Sequence, residues 1–229
     1  MLDVLIKNNQ FIAFNKPPGI AVQPDKTGDP TFLEQAETYC KHPLQVVHRI
    51  DRPVSGTLLF AKSKAAMTAL SRQFQARTVD KQYLAVVQQL PPETEATLVH
   101  YLRKQSGKNT VMAFVGESPG TERAELRYRL LGSSERYHLL HIQLLTGRHH
   151  QIRSQLAAIG CPIKGDVKYG FRRNNPDRSI QLHAWRLAFD HPVSGGRIQL
   201  EATLPDDPVW RAFAATIAEK MGPVALTKE

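Results

Sequence analysis

The chain has 229 residues, 41% hydrophobic and 22% charged, enough for a sizeable core in one large domain or two small ones. Lys and Arg number 30 against 21 Asp and Glu, a formal charge of +9 that points to a polyanionic partner. Two distant cysteines, Cys40 and Cys161, argue against a disulfide framework and for a reducing, cytoplasmic setting. No apolar run approaches a membrane span, and MLDVLIKNNQF lacks the apolar core of a signal peptide, so no membrane partner is expected.

In chain order, DVLIKNNQFIAFNK reads as two short strands around an Asn-Asn turn, followed by an ordered Pro/Gly turn at KPPGIAVQP. PTFLEQAETYC reads as a helix starting near Pro30 and Thr31. LQVVHRI and SGTLLFAK read as strands flanking Asp51, with a tight turn expected at Ser55-Gly56. Met67, Leu70 and Phe74 recur at helical spacing in KAAMTALSRQFQAR. KQYLAVVQQL is strand-like, TLVHYLRK and TVMAFV pair across KQSGKN, and AELRYRLLG and HLLHIQLLTG form a hairpin around SSER. HHQIRSQLAAIG reads as a short helix closed by Gly160, with Ile152, Leu156 and Ile159 on one face. SIQLHAWRLAF and GGRIQLEATL pair across HPVSG, and WRAFAATIAEK is the last helix. Strands joined by short turns outnumber helices, which predicts an α+β fold with a mostly antiparallel sheet; no linker separates two domains.

There is no phosphate-binding GxxxxGK[ST] loop, no GxGxxG after a strand, no GxSxG elbow and no HExxH. His138, His141, His149 and His150 lie close in sequence, but no cysteine or acidic cluster shares the stretch, so no metal is expected. HRIDRPVSG sets Asp51 between Arg49 and Arg52, and nearby opposite charge favours the ionised carboxylate. That suits a surface ion pair as well as a nucleophile beside a polyanion. His149 and Arg153, four apart, would share a helix face, and Arg148 would add charge at an anion-favouring helix start. A buried Arg153 would need an anion, and Asp51 is the expected partner. Tyr83 in a strand could equally be core. The run FRRNNPDR, with Arg172 and Arg173, is either a solvated loop or a phosphate contact.

These segments resemble the RluA-type RNA pseudouridine synthases. HRIDRPVSGTLLFAKS resembles the family's HRLDRxTSGLLLFAK motif. Lys16 to Gly19 match its KPxG element, Lys81, Tyr83 and Ala85 its KxYxA element, and Leu182 to Ala184 its LHA segment. TGRHHQIRSQLAAIGCPIKGD is similar to TGRxHQIRxHLaxxGhPIxGD. Val54 stands where threonine is usual, Ile50 where leucine is, and Gln155 replaces a histidine. The resemblance, from about Ile12 to Leu204, implies the pseudouridine synthase fold, a mixed sheet with flanking helices and a central catalytic cleft. It implies one catalytic domain over residues 1–229, without an N-terminal S4-like domain. Asp51 would be the essential aspartate, Tyr83 would stack on the target base, and Arg153 would pair with Asp51. Proton removal at C5 is a further role left open for Tyr83. RNA contacts would come from Arg49, Arg52, Arg148, His149, Leu182, Arg172 and Arg173. The implied activity is isomerisation of uridines in tRNA or rRNA by a cofactor-free enzyme, expected to be a monomer. A non-catalytic RNA-binding protein on the same fold is the alternative.

Overall fold

A computed structural model describes residues 2–222. The chain gathers into two compact units. The first is formed by the chain up to Lys81 and by His183–Pro205; the second by Gln82–Leu182 and Asp206–Gly222.

In the first unit, β1 (Asp3–Lys7) and β2 (Phe11–Lys16) form the expected hairpin, and Asn8 Oδ1 accepts from the Gln10 and Phe11 amides in its turn. β2 pairs antiparallel with β4 (Ser55–Ala61), every residue of which is buried. The apolar run Leu58–Ala61 suits a strand covered on both faces. On one face Phe11, Ala13, Leu59 and Ala61 meet Leu70 of α2 (Lys64–Ala76), along with Met67 and Phe74 at the spacing seen in the sequence. Phe32, in α1 (Phe32–Cys40), packs with Phe14 and Phe60. Thr31 and Glu34 build a reciprocal capping box at the start of α1, which satisfies two amides that a helix end leaves open.

β3 is only Gln45–Val46, shorter than the expected LQVVHRI strand. The cause is local. His48 stacks on Phe74 with ring centroids 5.1 Å apart, and its Nε2 accepts the Leu59 amide at 3.1 Å. An imidazole thus takes a ladder position on β4, and the backbone after Val46 leaves the sheet.

β10 (Leu182–Asp190) pairs antiparallel with β11 (Arg197–Glu201), as expected, and parallel with β4 at His183–Ser55 and Ala184–Gly56, a pairing with no local signal in the sequence. The Ser-Gly pair is therefore the first part of a strand, not a turn. Gly56 has φ +115°, and a Cβ there would lie 2.2 Å from the Ala184 carbonyl oxygen. Only glycine permits that approach.

In the second unit, β5 (Asp80–Val87), β9 (His138–Leu144), β8 (Glu122–Ser133), β6 (Glu95–Lys104) and β7 (Val111–Phe114) pair antiparallel in that order. The β6–β7 and β8–β9 hairpins are those predicted. α3 (Gln151–Ala158) packs on β6 and β7, and α4 (Pro208–Met221) on β8. Asp207 caps α4 by accepting from the Val209 and Trp210 amides and also accepts from Gln181 Nε2. The architecture is the expected α+β, mostly antiparallel, with four α-helices among the described residues.

Gly56→Ala should cost about 4 kcal/mol or more in urea unfolding, because both the left-handed backbone and the carbonyl contact forbid a Cβ. Gly116→Ala, in open space without positive φ, should stay within about 0.5 kcal/mol of wild type.

Candidate active site

Asp51 lies in the loop between β3 and β4, half-buried. Backbone bonds fix this loop. Val54 donates to the Asp51 carbonyl at 3.0 Å, and Gly19 donates to the Arg52 carbonyl at 2.8 Å. Lys16, with no exposed surface, donates from Nζ to the carbonyls of Pro17 (2.7 Å), Ile20 (3.0 Å) and Arg52 (3.4 Å). The lysine of KPPG thereby ties its own turn to HRIDR. Burial pushes Lys16 down to about 7, and the Asp51 charge works against that shift.

The two arginines beside Asp51 have different fates. Arg49 is exposed and makes no ion pair among the described residues. Arg52 turns to the loop after β2, reaching Asp29 at 2.7 Å, Asp25 at 2.8 Å and Thr27 Oγ1 at 2.7 Å. The Thr27 hydroxyl and amide hold Asp25 down to about 2, with Arg52 adding to the effect. PDKTGDP carried no sign of this clasp beyond two acids around a threonine.

Behind the loop, Ser55 Oγ lies 2.8 Å from His183 Nδ1, and His183 Nε2 lies 3.3 Å from the Ala202 carbonyl. The carbonyl requires a donor, so the proton is assigned to Nε2 and Nδ1 accepts from the serine. Burial pushes His183 down to about 4 and His48 down to about 3. Thr57 Oγ1 donates to the carbonyls of Ala184 and Trp185. The two segments that matched separate family motifs, around Asp51 and around His183, are thus one construction.

In the second unit Tyr83 is half-buried on β5, opposite Ile142 of β9. α3 begins at Gln151, later than expected, because His150 adopts φ +50° and Gln151 Oε1 accepts from the Arg148 amide and the Thr146 hydroxyl. His149 therefore precedes the helix and does not share a helical face with Arg153. It stacks on His150 at 3.9 Å and reaches Asn109 at 3.1 Å. Arg148 pairs with Glu122 at 2.7 Å.

Arg153, 4% exposed, meets Asp166 in a two-point pairing, Nε to Oδ2 at 2.7 Å and Nη2 to Oδ1 at 2.9 Å. Asp166 is 1% exposed and supplies an anion of the kind that a buried guanidinium requires. It closes the segment that begins at Thr146, so the signal was present: a carboxylate 13 residues on, in the same motif. Tyr169 lies over the guanidinium at 5.0 Å, while its hydroxyl accepts from the Val111 amide and contacts His150 Nδ1. Leu182 is buried at the start of β10, and Arg172 and Arg173 are exposed in the loop before it. No helix among the described residues is long and apolar enough to cross a membrane.

The fold is α+β, and it carries a half-buried aspartate on a backbone-braced loop ahead of a fully buried strand. The family profile described as RNA pseudouridylate synthase matches residues 10–158. A Mycoplasma pneumoniae protein described as an uncharacterized RNA pseudouridine synthase is 33% identical over 89% of this chain and 67% of its own length. A ribosomal large subunit pseudouridine synthase D of Nitrosomonas europaea is 35% identical over 90% of this chain and 63% of its own. The solved structure of human RNA pseudouridylate synthase domain containing 1 superposes with a TM-score of 0.75 at 25% identity, covering 93% of this chain and 87% of that one. The chain belongs to the RNA pseudouridylate synthase family, and within it to the RluA type.

Two outcomes test the geometry. Arg153→Ala should destabilise by about 3–5 kcal/mol in urea unfolding, since it leaves Asp166 buried without its partner. His183 binds a proton more weakly folded than unfolded, so stability should fall as pH drops from 6.5 towards about 4, by up to about 3 kcal/mol. In His183→Gln that slope should shrink to what His48 and the carboxylates leave.

Proposed function

We propose that this chain isomerises uridine to pseudouridine in a structured RNA through Asp51, with large-subunit ribosomal RNA the first substrate to try. Family membership supports the reaction class, and the relative named for the ribosomal large subunit supports that choice of RNA. The observation that carries the role of Asp51 is its place in HRIDRPVSG, on a loop braced by Lys16, Gly19 and Val54.

The reaction breaks the C1′–N1 bond and joins C5 to C1′; the C5 proton leaves and N1 takes one up. Nothing is oxidised and no group is lost, so a carboxylate nucleophile attacking sugar or base suffices. The loop fixes the direction of approach because its own carbonyls and amides are already bonded. The target base must leave its stack, at about a few kcal/mol. In this reading the Tyr83 face returns about 1–3 kcal/mol by stacking, and Arg153 holds negative charge in place. Arg49 contacts the RNA backbone. Arg52 and Arg148, engaged by acids in the free chain, would exchange those carboxylates for phosphates.

The deciding assay is tritium release from C5 of uridine-labelled, unmodified total RNA. Wild type should release tritium and Asp51→Ala none, and ribosomal and transfer RNA fractions then identify the target. Release by the variant at the wild-type rate would remove Asp51 from the reaction.

A further inference from the structure

The second unit holds a cavity of about 500 Å³ lined by Gln88, Arg136, Tyr137, Lys164, Phe171, Arg172, Arg173, Asn174 and Asn175. Four of these are cations and none is an acid. Among the described residues, Arg136, Arg172 and Arg173 make no ion pair or side-chain hydrogen bond, although Arg52, Arg148, Arg153 and Arg186 all have carboxylate partners. Three guanidiniums around one opening, left without carboxylates, form a site for an anion from outside.

The cavity is a built feature. Asn175, 7% exposed, accepts from Lys164 Nζ at 2.7 Å and donates to the Ser179 carbonyl at 3.0 Å and to Gln181. Gly165 makes room for it, since a Cβ there would lie 2.7 Å from Asn175 Nδ2. Lys164 also lies over the Tyr137 ring at 5.8 Å. Asp177 and Asp207 act on Lys164 electrostatically from beyond the lining.

Phosphate alone would leave Tyr137 and Phe171 unused, and so would an acidic peptide side chain. Aromatic faces beside guanidiniums fit a base and its phosphates together. The volume lies within the range of about 300–1,000 Å³ that accommodates small organic groups. We propose that this cavity binds one nucleotide of single-stranded RNA other than the reacting uridine, its base against Tyr137 and Phe171 and its flanking phosphates on Arg136, Arg172 and Arg173. The choice of RNA over a free nucleotide rests on the RNA-modifying reading. The lining contains neither Asp51 nor Tyr83, so the cavity is a site for holding RNA and not for chemistry.

The test uses a single-stranded oligoribonucleotide carrying one 2-aminopurine, read by anisotropy for affinity and by fluorescence quenching for stacking. Exposed, unbonded arginines can be replaced without disturbing the fold. Arg172→Ala/Arg173→Ala should bind about tenfold more weakly, and its salt slope should fall by about 1.4, the share of two single-strand phosphates. The lysine pair at the same positions should keep the slope but regain only part of the affinity, for want of the planar fork. Phe171→Ala should keep the slope and lose most of the quenching. Unchanged affinity and slope in the double alanine variant would overturn the proposal. So would quenching that survives loss of both Phe171 and Tyr137. Saturable binding of uridine 5′-monophosphate that the oligomer does not displace would instead mark a free-nucleotide site. Since the readout is binding, failure here leaves turnover through Asp51 standing, and failed turnover leaves this readout standing.

Discussion

The missing side chain at Gly56 is the constraint on which the first unit depends. β4 and β10 run side by side there at a separation that excludes a Cβ. Ser55 and Thr57, on either side, bond to His183 and to the Ala184 and Trp185 carbonyls. The loop bearing Asp51 ends in this joint. Its other anchor is Lys16, whose ammonium gathers carbonyls from KPPG and from Arg52. The backbone that carries Asp51 is thus held by bonds at both ends of a short segment.

Two buried cations are accommodated in different ways. Lys16 meets neutral carbonyl dipoles, which solvate it incompletely, and burial consequently makes its proton easier to lose. Arg153 meets a carboxylate in a fork-to-fork pairing, which suits a group that does not deprotonate. An exchange of residue types would fail at both sites: lysine cannot span both oxygens of Asp166, and a guanidinium is too large and flat for the carbonyl nest around Lys16.

Much of the fold was legible in the sequence. The β1–β2, β6–β7 and β8–β9 hairpins declare themselves by alternation and turn residues, and α2 by the spacing of Met67, Leu70 and Phe74. Strand β3 and helix α3 were overextended because a side chain, His48 in one case and Gln151 in the other, takes over a backbone partner. Periodicity does not register such substitutions. The parallel β4–β10 pairing joins residues 128 apart, and nothing local announces it. At the candidate site the residue types were legible, but the acids that meet Arg52 and the Asp166 partner of Arg153 were not. The acids that meet Arg52 lie 23 and 27 residues away in a polar loop, and pairing across such a distance leaves no pattern.

The clasp on Arg52 alters how the molecule's charge is distributed. Counting Asp51 itself, Lys16, Arg49 and Arg52 are matched in formal charge by Asp25, Asp29 and Asp51, so this loop and its clasp carry little net charge although HRIDR looks basic. The positive surplus resides elsewhere on the chain. In the proposed reading, long-range attraction of RNA would fall mainly to that surplus, and ionic strength would weaken it while the short contacts of the Arg52 clasp are screened less.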